Sequence, residues 1–130
     1  MMDKIDVVKK IQEVGVCAVI RGKDAEEAMA MSDACIAGGV TIIELAFTTP
    51  QAHEVIAALS KKYADNPDVV IGAGTVLDAV TARIAILNGA QFIVSPAFDL
   101  ETVKLCNRYR IAVMPGTTTL NGVIAALEAG

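Results

Sequence analysis

The amino-acid sequence predicts an α/β fold in which one N-terminal helix precedes five βα units. Two observations lead to this prediction. Short β-branched segments alternate with amphipathic segments along all 130 residues. In addition, 54% of the residues are hydrophobic, yet no apolar segment approaches the ~20 residues of a membrane-spanning helix. Strands that are apolar throughout need cover on both faces, which favours a parallel sheet under helices.

Each predicted element has a local signal. An amphipathic segment from about Ile5 to Val14 predicts the leading helix. Asp24 and Glu27 form a capping box ahead of the second helix, and Asp78 and Asp99 are N-cap residues of two later helices. The predicted strands are Val16–Ile20, Thr41–Phe47, Val69–Ile71, Phe92–Val94 and Ile111–Met114.

Proline and glycine mark further helix boundaries. Thr49 followed by Pro50 predicts an N-cap with proline at the first helical position. The pairs Gly38-Gly39 and Asn88-Gly89 predict helix C-termini. A similar helix-ending pattern closes the sequence, at the point where a sixth strand is expected to begin. No linker or low-complexity segment divides the chain, so we expect a single domain over residues 1–130.

Composition excludes several classes of function. The net charge of −4 disfavours a general nucleic-acid surface. The three cysteines, Cys17, Cys35 and Cys106, include no CxxC pair and are typical of a reduced, cytoplasmic protein. His53 is the only histidine and is expected on an exposed helix face, and no carboxylates have metal-ligand spacing. We therefore expect no metal, no cofactor and no membrane partner.

Glu44 is the sharpest functional candidate. Alternation along the second strand places it on the inner side of the sheet, opposite the helix-covered side that takes Ile43, Leu45 and Phe47. A buried carboxylate should be either paired or protonated with a raised pKa. A raised pKa suits a general acid–base that works near neutral pH. The alternative is a structural glutamate paired with Arg21 of the neighbouring strand.

Other strand ends carry further polar or glycine-rich segments. Arg21 is either an anchor for a carboxylate or phosphate or simply a salt-bridge partner. The segment Gly72–Thr75 either lets backbone approach a ligand or forms a tight turn without one. It is no dinucleotide fingerprint, because Leu77 stands where the third glycine would be. No lysine falls within a predicted strand, and Lys23 in the loop after the first strand comes closest.

Six segments, in order and at this spacing, resemble the 2-keto-3-deoxy-6-phosphogluconate (KDPG) aldolase and 4-hydroxy-2-oxoglutarate (KHG) aldolase family. The resemblance implies a (β/α)8 barrel, usually trimeric and cytoplasmic in bacteria. It also implies a class I aldolase that, without a metal, cleaves KDPG to pyruvate and glyceraldehyde 3-phosphate or KHG to pyruvate and glyoxylate. The six segments are Val19–Arg21, Gly38–Glu44, Phe47–Pro50, Ile71–Val76, Gly89–Pro96 and Met114–Gly116.

The resemblance also implies individual roles. Glu44 corresponds to the general acid–base, and Thr75 to the threonine near the pyruvyl carboxylate. Some members have arginine at the position of Thr48, so either Arg21 or Thr48 is expected to anchor the carboxylate. Pro96 and Pro115 correspond to residues of the pocket wall.

The Schiff-base lysine of the family belongs to the sixth strand, and its phosphate-binding glycines follow strands seven and eight. Since these positions fall beyond Gly130, we expect no aldolase activity from the 130 residues alone. Two alternatives are a five-stranded doubly wound sheet that binds a small anion without catalysis and a self-associating fragment. Open strand edges and an uncovered inner face with Ile42, Ala46 and Val94 predict association or marginal stability.

Overall fold

The computed structural model describes residues 2–130, in which six helices alternate with five strands as the sequence predicts. The helices are α1 (Lys4–Val14), α2 (Ala25–Ala37), α3 (Ala52–Lys62), α4 (Ala79–Leu87), α5 (Leu100–Arg108) and α6 (Leu120–Glu128). The strands are β1 (Ala18–Ile20), β2 (Ile42–Ala46), β3 (Val70–Gly74), β4 (Phe92–Ser95) and β5 (Ala112–Pro115). None of the helices in this part of the chain is long and apolar enough to cross a membrane.

The five strands form one parallel sheet in the order β1-β2-β3-β4-β5. Each crossover therefore advances to the next strand in the same direction across the sheet, as in a βα barrel. A doubly wound sheet instead reverses direction at a switch point. The doubly wound alternative is therefore wrong for these strands, and the α/β barrel-type arrangement is confirmed.

The larger apolar core lies on the outer face of the sheet, beneath the crossover helices. Alternate strand residues such as Ile43, Leu45 and Ile93 point into it, and α3 contributes Ile56 and Leu59. All five are fully buried. The alternation of β2 therefore has the predicted phase, with Glu44 on the other face.

A second, smaller core lies on the inner face and is covered by α1. Four of its residues open β2, β3, β4 and β5 in turn, and they surround the side chain of Val7. Helix α1 thus closes the end of the sheet at which the strands begin. The expectation of an uncovered inner face is wrong at Ile42 and Ala46, which are fully buried. The four strand residues are Ile42, Val70, Phe92 and Ala112.

Polar contacts hold α1 in this position. The Lys4 ammonium donates to the side-chain oxygen of Asn107 on α5 at 2.9 Å. The Lys10 ammonium lies 3.0 Å from the carboxylate of Asp68, which precedes β3. These contacts tie α1 to both sides of the region it covers.

Three predicted N-caps are confirmed. The carboxylates of Asp24, Asp78 and Asp99 accept backbone N–H bonds at 2.8, 2.7 and 2.9 Å. The capping box differs in detail, because Glu27 accepts from the N–H of Lys23 and not from that of Asp24.

The predicted N-cap at Thr49 is wrong. Helix α3 begins at Ala52, and its N-cap is Gln51 with a positive φ of 57°. The Thr49 hydroxyl instead accepts from the N–H of Gly22 at 3.1 Å, so it serves the loop after β1. Thr49 and Pro50 lie in the turn that follows β2.

Two strands differ from the predicted bounds by two residues or more at one end, and the other three agree to within one residue at each end. β1 starts at Ala18, two residues later than expected. β3 runs through Gly72 to Gly74, a segment that glycine content alone assigns to a turn. Its glycines pair in register with Glu44 and Ala46 of β2, so they belong to the wall of the sheet.

Candidate active site

The six residues singled out in the sequence lie at or near one edge of the sheet, at the carboxyl ends of the strands. Glu44 lies within β2 and Pro115 ends β5, while the other four directly follow a strand or lie in the loop after it. Thr75 and Pro115 are partly buried, whereas the remaining three loop residues are exposed. Those three are Arg21, Thr48 and Pro96.

Hydrogen bonds connect consecutive loops along this edge, so the site has a fixed rim. Each bond joins one loop or strand end to the next one across the sheet. The pairs are Gly22 N with Thr49 Oγ1 at 3.1 Å, Phe47 N with Gly74 O at 2.5 Å, Val76 N with Val94 O at 3.0 Å, and Gly116 N with Ser95 O at 2.7 Å.

Glu44 lies between β1 and β3 on the inner face. Its backbone pairs in register with Val19 on one side and Gly72 on the other. The residue is only 9% exposed. Its carboxyl group rests against Gly74, where an added Cβ would overlap Oε1 of Glu44. Glycine at position 74 therefore provides the space that the carboxyl group occupies.

Gly72 provides space of a different kind. A Cβ at this position would overlap the ring of Phe92, a fully buried residue of the inner core. The two glycines stand two residues apart on β3 and so face the same side. One accommodates the core and the other accommodates the candidate catalytic group.

Desolvation dominates the electrostatics of Glu44. Burial raises the pKa of its carboxyl group above the ordinary value, and the positive charge of Arg21 opposes this to a smaller degree. No ion pair of 4.0 Å or less joins Arg21 and Glu44, both of which the structure describes. The structural alternative, a glutamate bonded directly to Arg21, therefore lacks its bond.

Cys17 is a neighbour of Glu44 that the sequence argument missed. Partial removal of the thiol from water raises the pKa of Cys17 to about 11, and the nearby charge of Glu44 adds to the rise. The signal was available in the alternation, since Cys17, Val19 and Arg21 share one face of the first strand. Taken together as indicators of redox conditions, the three cysteines did not draw attention to the position of Cys17 on the strand.

No lysine of residues 2–130 lies on a strand. Six lie on α1, α3 and α5, and Lys23 lies in the loop after β1. His53 lies on α3, partly exposed, with its ring nitrogen 4.0 Å from Glu54. Within the described part of the chain, no group of three or more metal-ligating side chains comes together.

A cavity of about 630 Å³ lies at the opposite end of the sheet, next to α1 and the loop before β3. Two of its polar side chains bond the backbone: the Ser60 hydroxyl donates to Gly89 O at 3.2 Å, and Gln91 Oε1 accepts from Ile71 N at 3.2 Å. None of the six candidate residues lines this cavity.

The family model and the curated relatives point to the same family. The family model for KDPG and KHG aldolases matches residues 7–130. The 2-dehydro-3-deoxy-phosphogluconate aldolase of Treponema pallidum is 36% identical over 97% of this chain and 59% of its own. The chain spans between 49% and 59% of the length of the curated relatives it matches.

Several solved structures resemble this chain, and two examples each cover 88% of it. One is a KDPG aldolase of Legionella pneumophila with pyruvate captured as a covalent carbinolamine, with 28% identity, a TM-score of 0.75 and 53% of that chain covered. The other is a cube-shaped cage designed by fusing symmetric oligomeric domains, with 34% identity, a TM-score of 0.80 and 42% of that chain covered.

Proposed function

This chain belongs to the KDPG and KHG aldolase family, and on that premise we propose that the whole protein is a class I aldolase. Its substrate is a 2-keto acid with a hydroxyl group at C4, namely KDPG, KHG or both. The products are pyruvate and an aldehyde, glyceraldehyde 3-phosphate from KDPG or glyoxylate from KHG. Residues 1–130 form part of one barrel domain of that enzyme.

The observation that carries this proposal is the inward carboxyl group of Glu44. It is buried, it has a raised pKa, and it lies beside the end of the sheet where ligands of parallel α/β folds bind. A carboxyl group whose pKa lies closer to neutrality both donates and accepts protons efficiently. Glu44 is therefore the general acid–base.

The reaction uses the amine of a lysine that attacks the C2 carbonyl of the substrate. Glu44 donates a proton to the departing hydroxyl group, so that water leaves and an iminium ion forms. Glu44 then accepts the proton of the C4 hydroxyl group while the C3–C4 bond breaks and its electron pair moves toward the iminium. The resulting enamine is protonated at C3, and hydrolysis releases pyruvate and restores the amine.

The remaining candidates bind the substrate. Arg21 or Thr48 holds the carboxylate of the keto acid, with Thr75 beside it. Pro96 and Pro115 form the pocket wall. No strand lysine occurs in residues 2–130, so we propose that another segment of the whole protein supplies the amine and that these 130 residues alone are inactive.

The whole protein is proposed to be a homo-oligomer, a trimer as in the family it resembles, and to work in the cytoplasm. The likeness to a cage component built from symmetric oligomeric domains supports the first point. Free Cys17, Cys35 and Cys106 suit the reducing conditions required by the second.

Borohydride trapping tests the enzymatic proposal. The whole protein, incubated with pyruvate and reduced, should gain the mass of one reduced pyruvate adduct on a lysine. The 130-residue chain under the same conditions should gain none. In the whole protein, Glu44→Gln should slow adduct formation and substrate cleavage together. An adduct on the 130-residue chain, or full activity of the Gln variant, would contradict the proposal.

A further inference from the structure

We propose that Thr49 is a positioning residue that holds the loops carrying Arg21 and Thr48 together as one carboxylate-binding element. The inference rests on the proposed function and deepens it, because a single site built from both residues replaces the choice between two anchors. Arg21 and Thr48 are both exposed. Within residues 2–130, Arg21 forms no ion pair of 4.0 Å or less, so its charge is available to an anionic ligand.

One hydrogen bond joins the two loops. The hydroxyl group of Thr49 accepts from the backbone N–H of Gly22 at 3.1 Å. Gly22 directly follows Arg21 in the chain, and Thr49 directly follows Thr48. Because Thr49 is only 3% exposed, water competes little for this bond. The spacing of the two candidate anchors therefore depends on it.

This bond differs in kind from the other three that connect consecutive loops along the same edge of the sheet. Those three join a backbone N–H to a backbone carbonyl oxygen, and almost any residue supplies these groups. Between the loops after β1 and β2, the acceptor is a side chain. The identity of residue 49 therefore decides whether this part of the rim is closed.

Backbone contacts fix the Thr49 end of the bond. The N–H of Thr49 donates to Ala46 O at 2.9 Å, and its carbonyl oxygen accepts from Ala52 N at 3.3 Å. Ala46 ends β2 and Ala52 begins α3. The hydroxyl group therefore projects from a turn whose backbone is held on both sides.

The loop after β1 is held from its other side by α2. A Cβ at Gly22 would lie 2.8 Å from Ala28 N and 2.9 Å from Asp24 O, so the loop backbone rests directly on the start of that helix. The N–H of Lys23 donates to the carboxylate of Glu27 at 2.6 Å. These contacts tie the loop to α2, whereas the hydroxyl bond ties it to the loop after β2.

Two loops held in this way suit the chemistry of a carboxylate. A carboxylate accepts two parallel hydrogen bonds from a guanidinium group and has further lone pairs for a hydroxyl group. Arg21 and Thr48 supply these two kinds of donor. Loss of the bond between the loops should therefore weaken binding of the keto acid, while proton transfer by Glu44 continues unchanged.

Borohydride trapping of the whole protein over a range of pyruvate concentrations tests the proposal. Thr49→Val keeps the size of the side chain and removes the acceptor, so the pyruvate concentration for half-maximal trapping should rise about fivefold. The maximal rate and its pH profile should stay at the wild-type level. Thr49→Ser keeps the hydroxyl group and should keep the wild-type concentration dependence. Lost packing alone would instead impair the Ser variant, because serine lacks the methyl group.

Hydrogen–deuterium exchange at the Gly22 amide measures the bond independently of catalysis. Exchange should be slow in the wild type and in Thr49→Ser, and faster in Thr49→Val. An unprotected Gly22 amide in the wild type, an unchanged pyruvate dependence in Thr49→Val, or equal impairment of both variants would overturn the assignment. A wild type that forms no adduct would refute the aldolase proposal itself, whereas an adduct with an unaffected Thr49→Val variant would refute only the role of Thr49.

Discussion

At the scale of single residues, the position of Glu44 depends on a residue of β3 that has no side chain. Gly72 and Gly74 share a strand and a face, and both lack a side chain where a larger group arrives from elsewhere. At Gly72 that group is the rigid ring of Phe92. At Gly74 it is the far end of the flexible Glu44 side chain. Gly72 therefore accommodates a side chain of the packed core, and Gly74 accommodates the candidate general acid–base.

We expect Gly72→Ala to destabilise the chain by about 1–3 kcal/mol, the usual cost of overpacking a core. Gly74→Ala should cost clearly less, because the Glu44 carboxyl group can move aside. That movement brings the carboxyl group nearer to water, so its pKa should fall toward the ordinary value. Urea unfolding measures the first effect, and carbon-13 NMR titration of Glu44 measures the second. Gly38→Ala, at a site with a negative φ and no closer contact than 3.4 Å, is the control.

Cys17 reports on the charge of Glu44 by its reactivity. The thiolate is the reactive form, and both partial desolvation and the Glu44 charge raise the pKa of Cys17, to about 11. Glu44→Gln removes the charge, so the pKa should fall and alkylation of Cys17 at pH 8 should become faster. Mass spectrometry after iodoacetamide treatment measures the rate.

Cys106 is the internal control for this experiment. Burial raises its pKa to about 11 as well, but Glu44 makes no contribution there. Cys106 is fully buried, so its alkylation requires opening of the fold, and its rate should not increase in Glu44→Gln. An unchanged rate at Cys17 would show that the carboxyl group carries no negative charge near the thiol at this pH.

At the scale of elements, periodicity predicted each helix and strand but not what each one covers. The pattern of α1 marks an apolar stripe, yet a stripe does not specify its partner. Packing of Val7 against the first residues of four strands became visible only in the structure. The bounds of β3 were missed because glycine signals a turn in isolation, whereas here its small size fits the neighbours.

The same limit applies to the candidate site. Alternation along β2 predicted the correct face for Glu44, because the face of a strand residue depends on that strand alone. The overlap at Gly74 and the proximity of Cys17 depend on how β2 lies beside β3 and beside the segment that leads into β1. The Thr49 hydroxyl was assigned to a helix because local sequence offers that partner, while the structure provides Gly22 from another loop.

The covering role of α1 predicts a difference between two adjacent valines. Val7 is 1% exposed and Val8 is 41% exposed. Val7→Ala removes two buried carbon atoms and should lower the free energy of unfolding by about 2 kcal/mol. Val8→Ala makes the same chemical change and should alter it by less than about 0.5 kcal/mol. Equal effects in urea unfolding would show that α1 does not close the inner core.

At the scale of the whole molecule, two carboxyl groups make stability depend on pH in opposite ways. Burial raises the pKa of Glu44 on folding. Its contribution is therefore full below the pKa of the unfolded chain and is lost as pH rises through the folded value. The Lys62 ammonium, 2.6 Å away, lowers the pKa of Asp33. That contribution is present above the unfolded pKa and is lost as pH falls.

Urea unfolding of three proteins between pH 3 and pH 8 should separate these contributions. Relative to the wild type, Glu44→Gln should increase stability at neutral pH, because it removes a carboxylate that is desolvated on folding, and the gain should shrink as the solution becomes acidic. Asp33→Asn should decrease stability at neutral pH, by no more than about 1 kcal/mol since the pair joining α2 and α3 is partly exposed. This loss should also vanish in acid, where the wild-type carboxyl group is itself protonated. The two difference curves should therefore converge on zero from opposite sides, and curves of the same sign would contradict the assignment of Glu44 as the desolvated carboxyl group of the inner face.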